Sequence, residues 1–85
     1  MENELRRILL ETAALFASAE GCAVSTVGRR CKNDAKFFSR IAGAAQSFTV
    51  RTYDEVMAWL SVNWPDGHDK PRDLLLWEID VRAAS

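Results

Sequence analysis

The chain lacks the features of membrane, secreted and metal-binding proteins. Its 85 residues contain no apolar run near the roughly 18 residues that a membrane span requires. The N-terminus carries Glu2 and Glu4 and so lacks the cationic start of a secretory signal. Its two cysteines, Cys22 and Cys31, form no Cys-x-x-Cys pair and have no clustered histidine. We therefore expect a cytoplasmic protein with no membrane segment, no metal site and two buried thiols.

The sequence patterns of common enzymes are also missing. There is no glycine-rich phosphate loop, no cluster of histidine, cysteine and carboxylate, and no serine in a nucleophile turn. The one histidine, His68, stands in a turn between Asp66 and Asp69, where a surface role is more common than a role as ligand or general base. We therefore expect no enzyme activity, no catalytic residue and no cofactor.

Acidic residues are nearly absent from the middle of the chain. Between residues 25 and 52 the only acid is Asp34, so this segment has a formal charge of +5 in a chain whose net charge is −1. The basic residues of this segment are Arg29, Arg30, Lys32, Lys36, Arg40 and Arg51. A locally basic surface on an acidic protein indicates a polyanionic partner.

Apolar residues at spacings of three and four predict amphipathic helices. Side-chain oxygens at Ser25, Asp34 and Thr52 can cap the second, third and fourth of these helices. Between the third and fourth helices we expect an ordered loop, with Phe48 and Val50 as its anchors on the core. The predicted helices cover residues 2–20, 25–32, 34–42 and 52 to about 62.

The second and third predicted helices are joined with almost no loop. Two helices connected so tightly must cross steeply, and Gly28 can provide the close approach that such a crossing needs. We divide the chain into a helical domain, 1–64, and a C-terminal extension, 65–85.

The extension shows an alternating pattern. Apolar residues recur at every second position at 75, 77, 79 and 81, between Leu76, Glu78, Asp80 and Arg82, which favours a short strand at 72–83. An isolated edge strand would be exposed unless it paired with its twin in a second copy, which predicts an antiparallel two-fold contact. The expected dimer interface consists of Trp64, Leu75, Trp77, Ile79 and Val81.

Residues 25–41, with the sequence STVGRRCKNDAKFFSRI, resemble the helix-turn-helix of the lambda-repressor/Cro-like (XRE-type) family. Val27-Gly28 match the residue pair of the first helix of the motif, Phe38-Ser39-Arg40-Ile41 match the second helix, and 56–60 match the helix that follows. The usual Gly-Val turn is replaced by Lys32-Asn33-Asp34. The resemblance covers about residues 5–62 and implies a mainly α domain of four to five helices.

The same resemblance implies which residues contact DNA. The base-reading positions fall on Ala35 and Lys36, with Arg40 one turn further along the helix. Phe37 is open to two interpretations, either an apolar base contact or a residue of the core. The expected phosphate contacts are Ser25, Thr26, Arg29, Arg30, Lys32, Ser39, Arg51 and Thr52.

Two functional hypotheses follow. The first is a sequence-specific, dimeric DNA-binding regulator that occupies a near-palindromic operator, as small helical regulators of bacteria and phages do. The alternative is a non-enzymatic adaptor that binds a protein through the acidic C-terminal third of the chain and exposed tryptophans.

Overall fold

The protein is folded as a set of α-helices. A computed structural model describes residues 2–43 and 48–84, and no strand is present in those ranges. The helices are α1 (Glu2–Glu20), α2 (Val24–Lys32), α3 (Phe37–Ala42), α4 (Val50–Asn63) and α5 (Arg72–Ala84). The predicted mainly α class is therefore confirmed.

All five helices contribute to one hydrophobic core. Phe16 of α1 lies near its centre, and the rings of Trp59 and Trp64 meet it edge-on with centroid distances of 5.4 and 5.5 Å. Leu74 of α5 is fully buried, so the C-terminal extension packs into the same core as the rest of the chain. The other buried apolar residues are Leu9, Ala13, Ala17, Val27, Phe37, Phe38, Ile41, Tyr53, Val56, Met57 and Leu60.

The predicted caps of α2 and α4 are wrong. Helix α2 begins at Val24, one residue before Ser25, and its N-cap residue Ala23 makes no side-chain hydrogen bond. Helix α4 begins at Val50, and its cap is Thr49, whose Oγ1 accepts from the Thr52 amide at 3.1 Å. The predicted cap Thr52 therefore lies inside the first turn, because Thr49 offers the same hydroxyl chemistry three residues earlier.

The predicted loop 44–51 is described only from residue 48, since 44–47 lie outside the described residues. Phe48 is partly buried against the core, as expected, and the Arg6 guanidinium lies 5.7 Å from its ring centroid. Val50 is 57% exposed and starts α4, so its predicted role as an anchor is wrong.

The predicted strand at 72–83 is a helix. The carbonyl of Pro71 accepts from the amides of Leu74 and Leu75, both at 3.1 Å, which starts α5. Leu74 and Trp77 lie on its inner side at helical spacing, whereas Leu75 and Ile79 lie on the outer side. Because both sides carry apolar residues, the period of 3.6 is obscured and the sequence imitates the alternation of a strand.

None of the described helices is by itself long and apolar enough to cross a bilayer. Only α1 and α2 taken together, over Glu4–Glu20 and Val24–Lys32, are long and apolar enough for a span, and the chain bends by 104° between them.

Candidate nucleic-acid interface

Helices α2 and α3 approach each other closely at Gly28. A Cβ atom added to Gly28 would lie 2.7 Å from the carbonyl oxygen of Asp34 and 3.4 Å from the Phe38 ring. No side chain fits in that space without a backbone shift. The predicted close approach at Gly28 is confirmed, and the segment 25–42 is a bent helix pair rather than one continuous helix.

The turn between these helices is closed by hydrogen bonds of its backbone. Asn33 adopts the left-handed conformation, with φ 55°, and its amide donates to the Gly28 carbonyl. The amide of Asp34 donates to the same oxygen at 3.3 Å. Left-handed residues commonly end helices, and asparagine tolerates this conformation better than most. A Lys-Asn-Asp sequence thus forms a tight turn without glycine.

Asp34 was predicted to cap the third helix, but it stabilises the turn that precedes α3. Its Oδ1 accepts from the Lys36 amide at 3.0 Å, and its carbonyl accepts from the Phe37 amide at 3.1 Å. These bonds form a turn over 34–36, and α3 proper begins only at Phe37. The predicted start of the third helix at residue 34 is therefore three residues too early.

Helix α3 has one buried and one exposed side. Phe37, Phe38 and Ile41 are buried, whereas Ser39 and the preceding Lys36 are exposed. Phe37 is only 6% exposed, and its ring meets Phe38 edge-on at 4.9 Å. Of the two interpretations of Phe37, the structure supports core packing, so we correct its placement among the base contacts.

Several of the remaining predicted base and phosphate positions lie at the start of α2 and along α3. Ser25, Ala35 and Ser39 line one open hollow of about 400 Å³ between the start of α2 and α3. Thr26 and Arg29 lie exposed on α2. The structure therefore brings residues of the two helices together on one side.

The six basic residues of the middle segment, which we call the cationic surface, are partly neutralised by the fold. Three carboxylates approach them, which leaves a formal charge of +3 among these nine groups. The ion pairs join Arg30 to Glu20 at 3.1 Å, Lys32 and Arg51 to Glu55 at 3.4 and 3.8 Å, and Arg40 to Asp34. The charge pattern along the sequence did not indicate that Glu20 and Glu55 would pair with these cations, because the two acids belong to α1 and α4.

The six cations differ in how firmly they are held. The Arg30 guanidinium lies 5.3 Å from the ring centroid of Trp59 and 5.7 Å from that of Phe16, which fixes it against α1 and α4. Arg29 and Lys36 are exposed, and neither makes an ion pair within the described ranges. These two residues are therefore exposed cations of the surface without an ionic partner among the described residues.

A second open hollow, of about 320 Å³, joins the cationic surface to the start of α4. Lys32, Arg40, Thr49 and Thr52 line it together with Asp34, Phe37 and Phe48. The first amides of a helix have no intrahelical acceptor and attract anions. Two cations, two hydroxyls and a helix N-terminus thus converge where the phosphate contacts Lys32 and Thr52 were predicted.

The cysteines carry no chemistry at this surface. Both are free thiols and half-buried, and burial raises the pKa of Cys31, which keeps it protonated. Among the residues that the structure describes, no three histidine, cysteine or acidic side chains are grouped to hold a metal ion.

The predicted dimer residues do not form one surface. Trp64 packs on Phe16, and the Trp77 indole donates to Asp54 Oδ1 at 3.0 Å, so both tryptophans contact their own chain. Leu75, Ile79 and Val81 are 45, 59 and 41% exposed. Leu76 is 46% exposed as well.

The chain matches no known protein family model, no curated protein and no solved structure.

Proposed function

We propose that this protein is a dimeric, sequence-specific DNA-binding regulator that acts by occupying an operator. The proposal is carried by the tight α2 and α3 crossing at Gly28, which leaves Arg29 and Lys36 exposed on the outside of the pair. It is also supported by the resemblance of residues 25–41 to the lambda-repressor/Cro-like helix-turn-helix.

In this proposal the exposed side of α3 and of the turn before it enters the major groove. Lys36 donates to the O6 and N7 atoms of guanine, and Arg40 contacts a neighbouring base once it leaves Asp34. The Ala35 methyl group, at the hollow shared with Ser39, contacts a thymine methyl. Phe37 packs into the core and makes no base contact.

The phosphate contacts come from both sides of α3. Ser25, Thr26 and Arg29 hold one strand of the backbone, while Lys32, Arg51 and Thr52 hold the other next to the N-terminus of α4. Ion pairs at a protein surface contribute only about 0 to 1 kcal/mol. Exchange of Glu55 for a phosphate therefore costs Lys32 and Arg51 little, since the new bond is also charge-assisted.

A second copy binds through the outer side of α5. Leu75 and Ile79 form an apolar stripe there, on the side of α5 that faces away from Leu74 and the core. A two-fold pair would place two α3 helices roughly 34 Å apart, one turn of DNA, and would double the number of phosphate contacts.

Fluorescence anisotropy with duplex fragments of the source genome, at two salt concentrations, tests DNA binding. We expect binding that weakens steeply with salt, with a slope of about −0.9 per phosphate contact. The double variant Arg29→Ala/Lys36→Ala should bind on the order of tenfold or more weakly, because it removes two accessible cations.

The matched control is Arg7→Ala/Lys70→Ala, which removes the same charge from α1 and from the turn before α5. This control should bind within about twofold of the parent, since charges more than a Debye length of about 8 to 10 Å from the DNA are screened. Binding that is insensitive to salt, or equal losses in the two double variants, would refute the proposed interface and favour a protein-binding adaptor.

Sedimentation measures the dimer separately. Ending the chain before α5 would remove Leu74 from the core, so point changes are the better test. Leu75→Lys/Ile79→Lys should shift the mass from dimer to monomer. Val62→Lys, at a residue that is 84% exposed on α4, should leave the dimer intact. An unchanged mass in the first variant would exclude the outer side of α5 as the contact.

A further inference from the structure

A groove on another side of the molecule has the opposite charge. It runs between α1, α4 and α5 and has a volume of about 620 Å³, within the range of about 300 to 1,000 Å³ that is typical of binding pockets. Its apolar lining consists of Leu5, Ile8, Val50, Tyr53, Leu76, Trp77 and Val81. Four carboxylates complete it, from Glu4, Asp54, Asp73 and Asp80, and we call it the acid-rimmed groove. No lysine or arginine of the described chain lines it.

All four carboxylates lie close enough to Tyr53 to influence its pKa. The Tyr53 side chain is 7% exposed, and its pKa is raised by burial first and then by the charges of Asp73, Asp54, Asp80 and Glu4. These acids come from three different helices, so the sequence does not show that they meet. Their convergence creates a negative field over an apolar floor.

Three of the four carboxylates have no counter-charge among the described residues. Glu4 pairs with Arg7 at 2.6 Å, and Asp54 accepts from the Trp77 indole at 3.0 Å. Asp73 and Asp80 make no ion pair within the described residues. The bond between Trp77 and Asp54 ties α5 to α4, so the groove keeps its shape without a ligand. The result is a preformed apolar site with three unneutralised acids on its rim.

We propose that the acid-rimmed groove binds a cationic amphipathic helix of a partner protein. Apolar side chains of that helix contact Leu5, Ile8 and Leu76, while its lysine or arginine side chains pair with Asp73 and Asp80. Helices commonly dock in this way, with residues at i, i+3, i+4 and i+7 as anchors. This interaction goes beyond DNA binding and uses the other side of α4.

Charge complementarity decides between the possible occupants. DNA and RNA are repelled by the four carboxylates. A second copy would have to offer the outer side of α5, which carries Leu75 and Ile79 with the exposed Arg72 and Arg82, but the proposed dimer already covers that side. A cationic helix neutralises Asp73 and Asp80 and covers the apolar floor, so it is the partner that fits.

Selection from a displayed library of randomised 14-residue peptides, with the full chain as bait, tests this proposal. We expect the enriched peptides to carry an excess of lysine and arginine, with apolar residues at spacings of three and four. Asp73→Asn/Asp80→Asn should weaken the best peptide by about tenfold, since both charge-assisted pairs are lost.

The control Asp66→Asn/Asp69→Asn removes the same charge from the turn before α5 and should change peptide affinity by less than about twofold. Circular dichroism checks that both variants keep their helices. The absence of enriched peptides, an enriched set that is neutral or acidic, or equal effects of the two double variants would overturn the proposal. DNA affinity is measured on the same variants and should not fall, so failure here is distinguishable from failure of the DNA-binding proposal.

Discussion

The cationic surface and the acid-rimmed groove lie on two sides of the first turns of α4 and differ in how far their charges are neutralised. Thr52 and Glu55 of α4 belong to the cationic side, while Val50, Tyr53 and Asp54 belong to the groove. On the cationic side, four of six cations already have an acidic partner. On the groove side, Asp73 and Asp80 have none within the described chain.

This difference shows that net charge along a sequence does not measure charge at a surface. A segment of +5 becomes a moderately cationic surface because α1 and α4 supply Glu20 and Glu55. The acids of the C-terminal third, in contrast, are concentrated by the fold. The predictions below separate the two regions, beginning with the largest expected effect.

Gly28→Ala should damage the cationic surface and spare the groove. The new methyl group would lie 2.7 Å from the Asp34 carbonyl, so α2 and α3 must separate. Overpacking of this kind costs about 1 to 3 kcal/mol, which exceeds the gain in helix propensity of about 1 kcal/mol. Urea unfolding should show the loss of stability, and DNA binding should fall with it, while a groove-binding peptide keeps its affinity for the folded fraction.

Gly43→Ala is the matched control for this change. Its φ is −78°, and an added Cβ would meet the Ser39 carbonyl at an ordinary 3.6 Å. The free energy of unfolding should therefore change by less than about 0.5 kcal/mol. Equal stabilities of the two alanine variants would mean that the helices do not depend on the close approach at Gly28.

Glu55→Gln should strengthen DNA binding. This change releases Lys32 and Arg51 from their shared carboxylate and raises the charge of the cationic surface by one. We expect DNA affinity to rise roughly three- to tenfold and the salt dependence to steepen, with a change in stability below about 1 kcal/mol because these pairs are exposed.

Glu11→Gln controls for the general loss of one negative charge. Glu11 pairs with Arg7 on α1, outside the cationic surface, at 3.1 Å. Its removal should leave DNA affinity within about twofold in an anisotropy titration at the same salt concentration. Weaker DNA binding by Glu55→Gln would show that Glu55 positions the cations instead of competing with phosphate.

Glu78→Gln should lower the stability of the protein slightly and in a pH-dependent way, because Glu78 helps to hold α5, one wall of the groove, in place. Hydrogen bonds from Lys70, at 2.8 Å, and from Ser61 lower the pKa of Glu78, and they tie α5 to α4 and to the turn before it. Because the pKa of Glu78 in the folded state lies below its unfolded-state value of about 4.5, the ionised carboxylate stabilises the fold fully at pH values above 4.5. That stability is lost as the pH falls through the folded-state pKa. We expect a contribution below about 1 kcal/mol.

Thermal unfolding from pH 6 to pH 3 measures this effect. The parent should be more stable than Glu78→Gln at pH 6, and the difference should shrink as the pH falls. Lys70→Met should remove the same pH-dependent component. A difference that grows toward low pH would contradict the assigned direction of the pKa.

Local signals in the sequence were sufficient for the first four helices and for the crossing at Gly28. Periodic apolar residues and a near-absent loop constrain neighbouring helices strongly. The cap assignments failed at Ser25 and Thr52 because several residues near each helix start have hydroxyl groups or tolerate the position. Helix α5 was predicted as a strand because its outer leucines hide the helical period.

The sites depended on contacts between distant residues, which a single sequence does not display. Lys36 was predicted from the resemblance as a base contact at the start of the third helix, and it is exposed in the turn before α3. The pairing of Lys32 with Glu55 and the meeting of Glu4 with Asp73 join residues from separate helices. Such contacts are set by how the helices cross and not by their local patterns.

Chemical-shift mapping of the labelled protein with a bound operator duplex tests most directly which side of the molecule contacts DNA. Our account predicts large shifts at Arg29, Lys36, Ser39 and Thr52, and none at groove residues such as Ile8 and Asp80. The largest shifts at the groove, or shifts spread evenly over both sides of α4, would contradict it.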